Sequence, residues 1–137
     1  MGKLIKVSDA ATIGLHAAIV IAGGGGRVAA TPEIAARLQV SEAHLAKVLQ
    51  RLTRHGIVKS VRGPKGGFVL ARPAEAISLL EVYEAIEGPL QAGECLFDLP
   101  VCREHACIFG GLLHEIYRRL HDKLAGTRLE DVKEVLK

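Results

Sequence analysis

The sequence contains no tryptophan, a single methionine, two tyrosines and three phenylalanines among 137 residues. A hydrophobic core must therefore be built from leucine, isoleucine, valine and alanine, which suits helices. Hydrophobic residues make up 49% of the chain, a share typical of a folded protein. At this length we expect one domain with an appended dimerisation helix, rather than a monomeric enzyme with a deep cleft.

The chain also lacks a long apolar run. No stretch approaches the roughly 20 apolar residues that a membrane span requires, and Asp9 and His16 interrupt the apolar stretch that precedes Gly23. The following Gly23–Arg27 segment is a poor signal-peptide cleavage site. No nucleophile can be paired with a base as an enzyme requires. We therefore expect a soluble, cytoplasmic protein that contacts no membrane and is not an enzyme.

Acidic residues are scarce in the N-terminal half. Residues 1–72 carry 11 lysines and arginines against three acidic residues, a net charge of +8. Residues 73–137 carry seven against 12, a net charge of −5. Such a split favours a chain that contacts a polyanion with one end over a chain with scattered, solvated charges.

Two helices joined by a tight turn are predicted within the basic half. Thr31 is expected to cap a short helix over Pro32–Leu38, and Gln39-Val40 forms the turn. Ser41 then caps a helix over Glu42–His55, which the glycine at position 56 ends. The pattern is that of a helix-turn-helix, whose second helix enters the DNA major groove.

The second of these helices has two distinct faces. Its apolar residues recur at i, i+3, i+4 and i+7, and its other side is basic. Periodicity alone leaves an ordinary helical hairpin as an equal alternative. The apolar face comprises Leu45, Val48, Leu49 and Leu52. The residues of the motif that we expect to contact DNA are Thr31, Ser41, Ala43, His44, Lys47, Gln50, Arg51 and Arg54.

A basic hairpin is predicted directly after this helix. Two β-prone segments, Ile57–Val61 and Phe68–Ala71, flank a turn rich in glycine and proline. We expect Arg62 and Lys65 to project from its tip and to contact phosphates or a minor groove. A phosphate-cradling loop of a nucleotide enzyme is the alternative, but such a loop needs a helix directly after its glycines. The hairpin is therefore interpreted as a wing.

Further helices are predicted on both sides of this motif. A buried helix begins at Ser8 or Asp9 and ends near Ala22, and a Ser78/Glu81 capping box opens a helix that ends near Glu87. The predicted fold class is mainly α with a small β-hairpin, a winged helix-turn-helix domain followed by a long C-terminal helix.

That long helix is predicted from Ile108 to Leu124, with a broad apolar stripe. The stripe packs on its own domain or pairs with a second chain, and two-fold dimers match palindromic operators. A Thr127/Glu130 capping box predicts a short final helix that ends near Leu136. We divide the chain into a winged helix-turn-helix domain (residues 1–88), a cysteine-bearing loop (residues 89–107) and a dimerisation helix with a short C-terminal helix (residues 108–137).

The three cysteines, Cys95, Cys102 and Cys107, all lie in that loop, with the spacing C-x6-C-x4-C. An odd number of cysteines in a cytoplasmic chain argues against a disulfide framework. Soft thiolates favour zinc or an iron–sulfur cluster. Buried or redox-active free cysteines are the alternative.

Taken together, these segments resemble the IscR/NsrR-type (Rrf-type) family of bacterial iron–sulfur regulators. The resemblance rests on the N-terminal Lys3–Ala18 helix, the helix-turn-helix Thr31–Arg54, the wing string Val61–Arg72, the segment Leu80–Pro89 and the three cysteines. It implies a homodimer whose long helices cross and which binds a palindromic operator. It also implies a cluster held by the three cysteines, although the intervals between them differ slightly from the usual family pattern.

The resemblance also implies a fourth ligand, since a [4Fe–4S] cluster is commonly held by four protein ligands. NsrR-type members use an aspartate in the first helix of the partner subunit, which Asp9 matches. IscR-type members use a histidine near the third cysteine with a [2Fe–2S] cluster, but His105 precedes Cys107 and is out of register. We therefore expect Asp9 and a [4Fe–4S] cluster, with His105 as the alternative. Other local candidates are Glu94, Asp98 and Glu104. A structural role explains Asp9 equally well, because an acidic residue in the first turn of a helix interacts favourably with the helix dipole.

The function predicted from these features is that of a DNA-binding regulator, usually a repressor. An iron–sulfur cluster that senses nitric oxide, redox state or iron–sulfur status would control operator binding. A cluster-free thiol-redox or small-ligand-sensing repressor is the alternative within this class. An iron–sulfur redox or carrier protein is the alternative from another class, but it would not need the basic half.

Overall fold

The structure, a computed structural model, describes residues 7–90, 101–103 and 106–137. Over these residues it is mainly helical with one antiparallel hairpin, which confirms the predicted fold class. The helices are α1 (Asp9–Gly23), α2 (Thr31–Leu38), α3 (Glu42–Arg54), a 3-10 helix (Ala74–Ala76), α4 (Leu79–Glu87), α5 (Leu112–Gly126) and α6 (Leu129–Val132). The strands are β1 (Val58–Val61) and β2 (Gly67–Leu70). In the described ranges no helix is both long and apolar enough to cross a membrane.

Helix α1 runs through the centre of the fold, as its nearly continuous apolar surface predicts. Nine of its 15 residues are buried. Ser8 caps the helix, because its hydroxyl accepts a hydrogen bond from Ala11 N at 3.1 Å. A β-carbon added at Gly14 would lie 3.0 Å from Ile86 and 3.4 Å from Val48. The absence of a side chain at Gly14 therefore lets α1 approach α3 and α4 closely.

The helix-turn-helix is present, with one correction at its start. The cap position of α2 is Ala30 without a side-chain hydrogen bond, and Thr31 is the first helical residue rather than the cap. Gln39 adopts a left-handed conformation with φ of 57°, and Val40 N donates to Ala35 O at 3.0 Å. These bonds close α2 and produce the predicted tight turn.

The wing is the β1–β2 hairpin, paired in the register Val58↔Leu70 to Val61↔Gly67. Strand β1 begins one residue later than predicted and ends at Val61 as predicted, whereas β2 is displaced by one residue toward the N-terminus at both ends. The later start of β1 reflects the role of Ile57 in closing the turn after α3. Ile57 N donates to Leu52 O at 2.9 Å after Gly56 turns the chain with φ of 73°. The side chain of Ile57 is buried, as expected for the hydrophobic contact that follows such a helix end.

The capping box that opens α4 is confirmed. Ser78 N donates to Glu81 Oε2 at 2.9 Å, and Glu81 N donates to Ser78 Oγ at 3.1 Å. The 3-10 helix that precedes it was not predicted.

The C-terminal helices differ from the prediction at all four ends, and α5 ends at Gly126 rather than at Leu124. Helix α5 begins at Leu112 rather than Ile108, because Gly110 has φ of 57° and a second glycine follows. The Thr127/Glu130 capping box is wrong, since the Thr127 hydroxyl instead donates to Lys123 O at 2.7 Å. Asp131 accepts from Arg128 N at 2.8 Å and opens α6, which ends at Val132 rather than near Leu136.

Helix α6 packs back onto the N-terminal part of the chain. Leu79 N donates to Thr127 O and Leu129 N donates to Ile77 O, each at 2.9 Å. Leu129 is completely buried in the core that α1 and α3 share. The end of the chain thus stabilises the winged helix-turn-helix.

Candidate nucleic-acid interface

Helix α3, the recognition helix of the motif, separates apolar and polar residues onto opposite faces. Its four predicted core residues are all at most 2% exposed. The opposite side is exposed along the whole length of the helix, which leaves donor groups available to a ligand. The exposed residues include Ala43, His44, Lys47, Gln50, Arg51 and Arg54, all predicted to contact DNA.

The N-terminus of α3 is capped as predicted. The hydroxyl of Ser41 accepts a hydrogen bond from His44 N at 3.1 Å, and Ser41 itself is exposed. This bond satisfies one of the amides that a helix start leaves without a partner. Ser41 therefore has a structural task in addition to any contact with DNA. Thr31, at the start of α2, is half-buried.

Arg51 differs from the other basic residues of α3. Its Nη1 donates to the carbonyl oxygen of Ile86 in the last turn of α4 at 3.2 Å. The carbonyls at the end of a helix have no partner within the helix and attract cations. The guanidinium is thus directed along the flank of α3 toward α4, whereas Lys47 and Arg54 lie on the exposed face.

The tip of the wing is shaped by its glycines. Gly63 has φ of 116°, and Gly66 N donates to Gly63 O at 2.9 Å. A β-carbon at Gly66 would lie 2.8 Å from that same oxygen, so a larger residue does not fit. Arg62 and Lys65 are both exposed beside this turn, as predicted.

Strand β2 of the wing is held, near its tip end, by a pairing that the sequence did not reveal. Ala29 N donates to Phe68 O at 2.9 Å, and Phe68 N donates to Ala29 O at 2.8 Å. Ala29 directly precedes the cap of α2, so the wing is tied to the start of the helix-turn-helix. Gly67 makes the approach possible, because its β-carbon would lie 2.6 Å from the carbonyl carbon of Ala29.

A groove of about 380 Å³ lies between α3 and the wing. It is lined by Gln50, Thr53 and Arg54 from α3 and by the cross-strand pair Ser60 and Phe68 from the wing. Thr53, Ser60 and Phe68 were not predicted as site residues. The alternation of β1 offers a signal for Ser60, but its proximity to α3 depends on the tertiary fold.

One acidic residue of the basic half is neutralised at the edge of this region. Arg27 Nη2 lies 2.6 Å from Glu33 Oε1 at the start of α2. The hydrogen bond from Arg27 lowers the pKa of Glu33. The carboxylate therefore stays ionised and paired with a cation.

Two of the three cysteines lie in the described part of the chain. Cys102 is exposed, whereas Cys107 is half-buried and its Sγ accepts a hydrogen bond from Phe109 N at 3.4 Å. Cys95 and His105, with Glu94, Asp98 and Glu104, lie outside the described residues. Asp9 is exposed in the first turn of α1. Among the residues that the structure describes, no three His, Cys, Asp or Glu side chains are grouped closely enough to hold a metal ion.

The apolar stripe of the long helix is only partly covered. Leu124 is buried as part of the protein's own core, and Leu113 is also buried. Large apolar side chains at and before the start of α5 are exposed instead. They are Val101 (69%), Ile108 (82%), Phe109 (41%) and Leu112 (46%).

The comparisons with known proteins agree with this geometry. A family model named Rrf2 and described as an iron-dependent transcriptional regulator matches residues 7–134. The chain belongs to the Rrf2 family. Its curated relatives include protein aau3 of Rhizobium meliloti, which is 35% identical over 115 residues, spanning 81% of this chain and 73% of the relative.

Solved structures of Rrf2-type regulators also superpose on the fold. CymR, the global cysteine regulator of B. subtilis, gives a TM-score of 0.80 at 29% identity and covers 97% of this chain and 99% of its own. IscR of T. potens gives a TM-score of 0.70 at 28% identity, and the match covers 93% of this chain and 85% of the IscR chain. This Rrf2 protein is therefore a transcription regulator with a DNA-binding winged helix, and it is not an enzyme.

Proposed function

We propose that the protein is a cytoplasmic, homodimeric repressor that binds a palindromic operator and is controlled by an iron–sulfur cluster. The observation that carries the DNA-binding part is the exposed face of α3, which stands opposite a fully buried leucine face and continues into a basic wing. Lys47, Gln50 and Arg54 would read the major groove.

The wing supplies the second part of the interface. Arg62 and Lys65 would contact the flanking backbone or minor groove, since both are exposed at a tip that glycines shape. The groove between α3 and the wing suits the sugar-phosphate strand that separates these two contacts. We also propose DNA contacts near the start of the motif, from Thr31, Ser41, Ala43 and His44.

A second copy of the chain is the proposed partner of the exposed apolar residues at the start of α5. Ile108, Phe109 and Leu112 form an apolar surface that a monomer would leave in water. Covering it by the same surface of a second copy gives a two-fold dimer. The two recognition helices of the dimer would then bind the two half-sites of one operator.

The donor set of the cysteine segment (residues 89–107) suits an iron–sulfur cluster. Three thiolates would come from Cys95, Cys102 and Cys107. The backbone amide of Phe109 donates a hydrogen bond to the sulfur of Cys107. Such N–H···S bonds stabilise thiolate ligands and tune the potential of a bound cluster. When bound, a cluster of this kind supplies a centre that reacts with nitric oxide or changes redox state.

Asp9 of the partner subunit is the proposed fourth ligand, with His105 as the alternative. The Asp9 side chain is exposed in the first turn of α1, where a second chain could reach it. A carboxylate holds iron less tightly than a thiolate does. Loss of Asp9 from a shared site would therefore loosen the connection between subunits and misplace both recognition helices.

A cluster-free thiol sensor is the second candidate. Cys102 is exposed, as a reactive sensor thiol must be. Among the structural relatives, CymR is described as a global cysteine regulator. The two candidates share the DNA interface and differ only in what the cysteine segment holds.

The test of the DNA-binding part is a titration of the purified protein against duplexes selected from a random library. We expect a palindromic consensus, and we expect Arg54→Gln to weaken binding at least about fivefold, since a base contact is worth about 1–3 kcal/mol. Arg118→Gln, at an exposed position of α5, is the matched control. If the wild type and Arg54→Gln both bound every duplex with the same affinity, the assignment would be contradicted.

The test of the cluster is an anaerobic absorption and resonance Raman spectrum of the protein as purified. Bands of a [4Fe–4S] cluster that change in Asp9→Ala but not in Asp122→Asn support the full proposal. A colourless protein whose operator affinity responds to thiol oxidation supports the cluster-free candidate instead. Asp122 is a suitable control because it is exposed on α5.

A further inference from the structure

The last turn of α4 and the residues that follow it receive hydrogen bonds from several segments. Arg51 of α3 donates to Ile86 O at 3.2 Å, and Tyr117 of α5 donates through its hydroxyl to Leu90 O at 2.6 Å. Leu90 N in turn donates to Glu84 Oε2 at 3.1 Å. Helices α3 and α5, which otherwise serve different tasks, are thus both bonded to one short stretch of backbone.

The bond from Arg51 closes the end of α4. Gly88 N donates to Glu84 O at 2.9 Å and, with φ of 81°, turns the chain away from the helix. The carbonyl of Ile86 then lacks the next amide as a partner, and the guanidinium replaces it. The side chain of Ile86 is buried beside Gly14. A displacement of the α4 end would therefore act directly on the α3 flank that carries Arg51.

Leu90 is held on both sides of its backbone. Its amide is bonded to α4 through Glu84 and its carbonyl to α5 through Tyr117, and its side chain packs against the core. In sequence, Leu90 precedes Cys95 by five residues. The start of the cysteine segment is consequently anchored to the same stretch that Arg51 contacts.

We infer that Arg51, Glu84 and Tyr117 are positioning residues, which join the start of the cysteine segment to the recognition helix through the last turn of α4. This inference rests on the proposed function, because it assigns these residues to the connection between sensor and DNA interface. It also moves Arg51 from the group of base-reading residues to that of positioning residues.

The first test compares operator affinity in two states, metal-free and reconstituted with iron and sulfide. The ratio of the two dissociation constants measures the coupling. We expect Arg51→Met and Tyr117→Phe to reduce this ratio by about 2- to 30-fold, the range that residues in a coupling network produce. Arg54→Met, on the exposed face of the same helix, should weaken both states by the same factor and leave the ratio unchanged. The Arg51/Tyr117 double variant should be less than additive.

The second test needs neither DNA nor iron. Amide hydrogen exchange of the metal-free protein should become faster at Leu90 in Glu84→Met, and Glu84→Gln should restore the slow rate because its amide oxygen still accepts the bond. In Tyr117→Phe, faster exchange should extend from Leu90 to the last turn of α3. Thermal unfolding of each variant verifies that the fold is retained.

Two outcomes would overturn the inference. One is a Tyr117→Phe variant with faster exchange at Leu90 but unchanged exchange in α3. The other is an unchanged affinity ratio in both Arg51→Met and Tyr117→Phe. If the wild type bound no operator in either state, the proposed function would fail, and the exchange measurement would still support or reject the link on its own.

Discussion

The guanidinium of Arg72 lies 2.7 Å from the carboxylate of Glu81, which joins the residues after the wing to the first turn of α4. The same carboxylate accepts the amide of Ser78 in the capping box. Partial burial of Glu81 opposes its ionisation, but the hydrogen bonds from Ser78 and Arg72 outweigh this effect and lower the pKa of Glu81. One ionised side chain therefore caps α4 and anchors the wing.

Glu81→Gln should lower the free energy of unfolding by about 0.3–1 kcal/mol at neutral pH, because glutamine can still accept the capping bond from Ser78 N but loses the ion pair with Arg72 and the negative charge at the helix N-terminus. A carboxylate whose pKa is lowered on folding stabilises the protein above its ordinary pKa of 4.5 and loses this effect as pH falls through the folded value. The difference in the free energy of unfolding between the wild type and Glu81→Gln should therefore shrink as the pH falls. Urea unfolding at a series of pH values measures it, with the exposed Glu134→Gln as control. Equal stabilities at neutral pH would refute the prediction.

Gly67→Ala should destabilise the protein by at least about 2 kcal/mol, because a side chain there separates the wing from Ala29 and breaks two buried hydrogen bonds. The atoms that its β-carbon would meet are all backbone and cannot rotate away. Thermal unfolding and operator affinity are the measurements. Gly126→Ala is the control, since no atom lies within 4 Å of the added carbon. A normal melting temperature for Gly67→Ala would show that the wing is not anchored in this way.

Ser41→Ala should cost about 1 kcal/mol of stability through loss of the α3 cap. Ser41→Asn should restore most of that stability, because its side chain also accepts from the helix amides. Comparing the two by urea unfolding and DNA titration separates the cap from a DNA contact. If Ser41→Asn is stable and binds as the wild type does, the role of Ser41 is purely structural.

Arg62→Gln and Lys65→Gln should each reduce the slope of log affinity against log salt by about 0.9, the value for one phosphate contact. Fluorescence anisotropy of one operator duplex at several salt concentrations provides the slopes. The same substitution at Arg118, exposed on α5, should leave the slope unchanged. Unaltered slopes in both wing variants would place the wing away from the backbone.

Much of the DNA-binding half could be predicted because its signals are local. The leucine spacing of α3 encodes one buried face, Ser41 and Gly56 mark its two ends, and the glycines after Arg62 permit a tight turn. Where two local signals competed, the prediction was less accurate. The apolar stripe suggested a helix from Ile108, but two successive glycines disfavour the helical conformation there, and α5 begins at Leu112.

The sequence alone determined the helix-turn-helix, the wing and their charge, since each depends on residues within one or two turns of each other. Only the tertiary structure decided which distant groups meet. Ala29 pairs with Phe68, Arg51 reaches Ile86, and Leu129 of the last helix is buried beneath the N-terminal core. These contacts join residues 35 or more positions apart in the sequence, and no periodicity or capping pattern specifies such a pairing. The outer face of α3 predicts a base contact for Arg51, and only the tertiary structure reveals its bond to Ile86 O of α4.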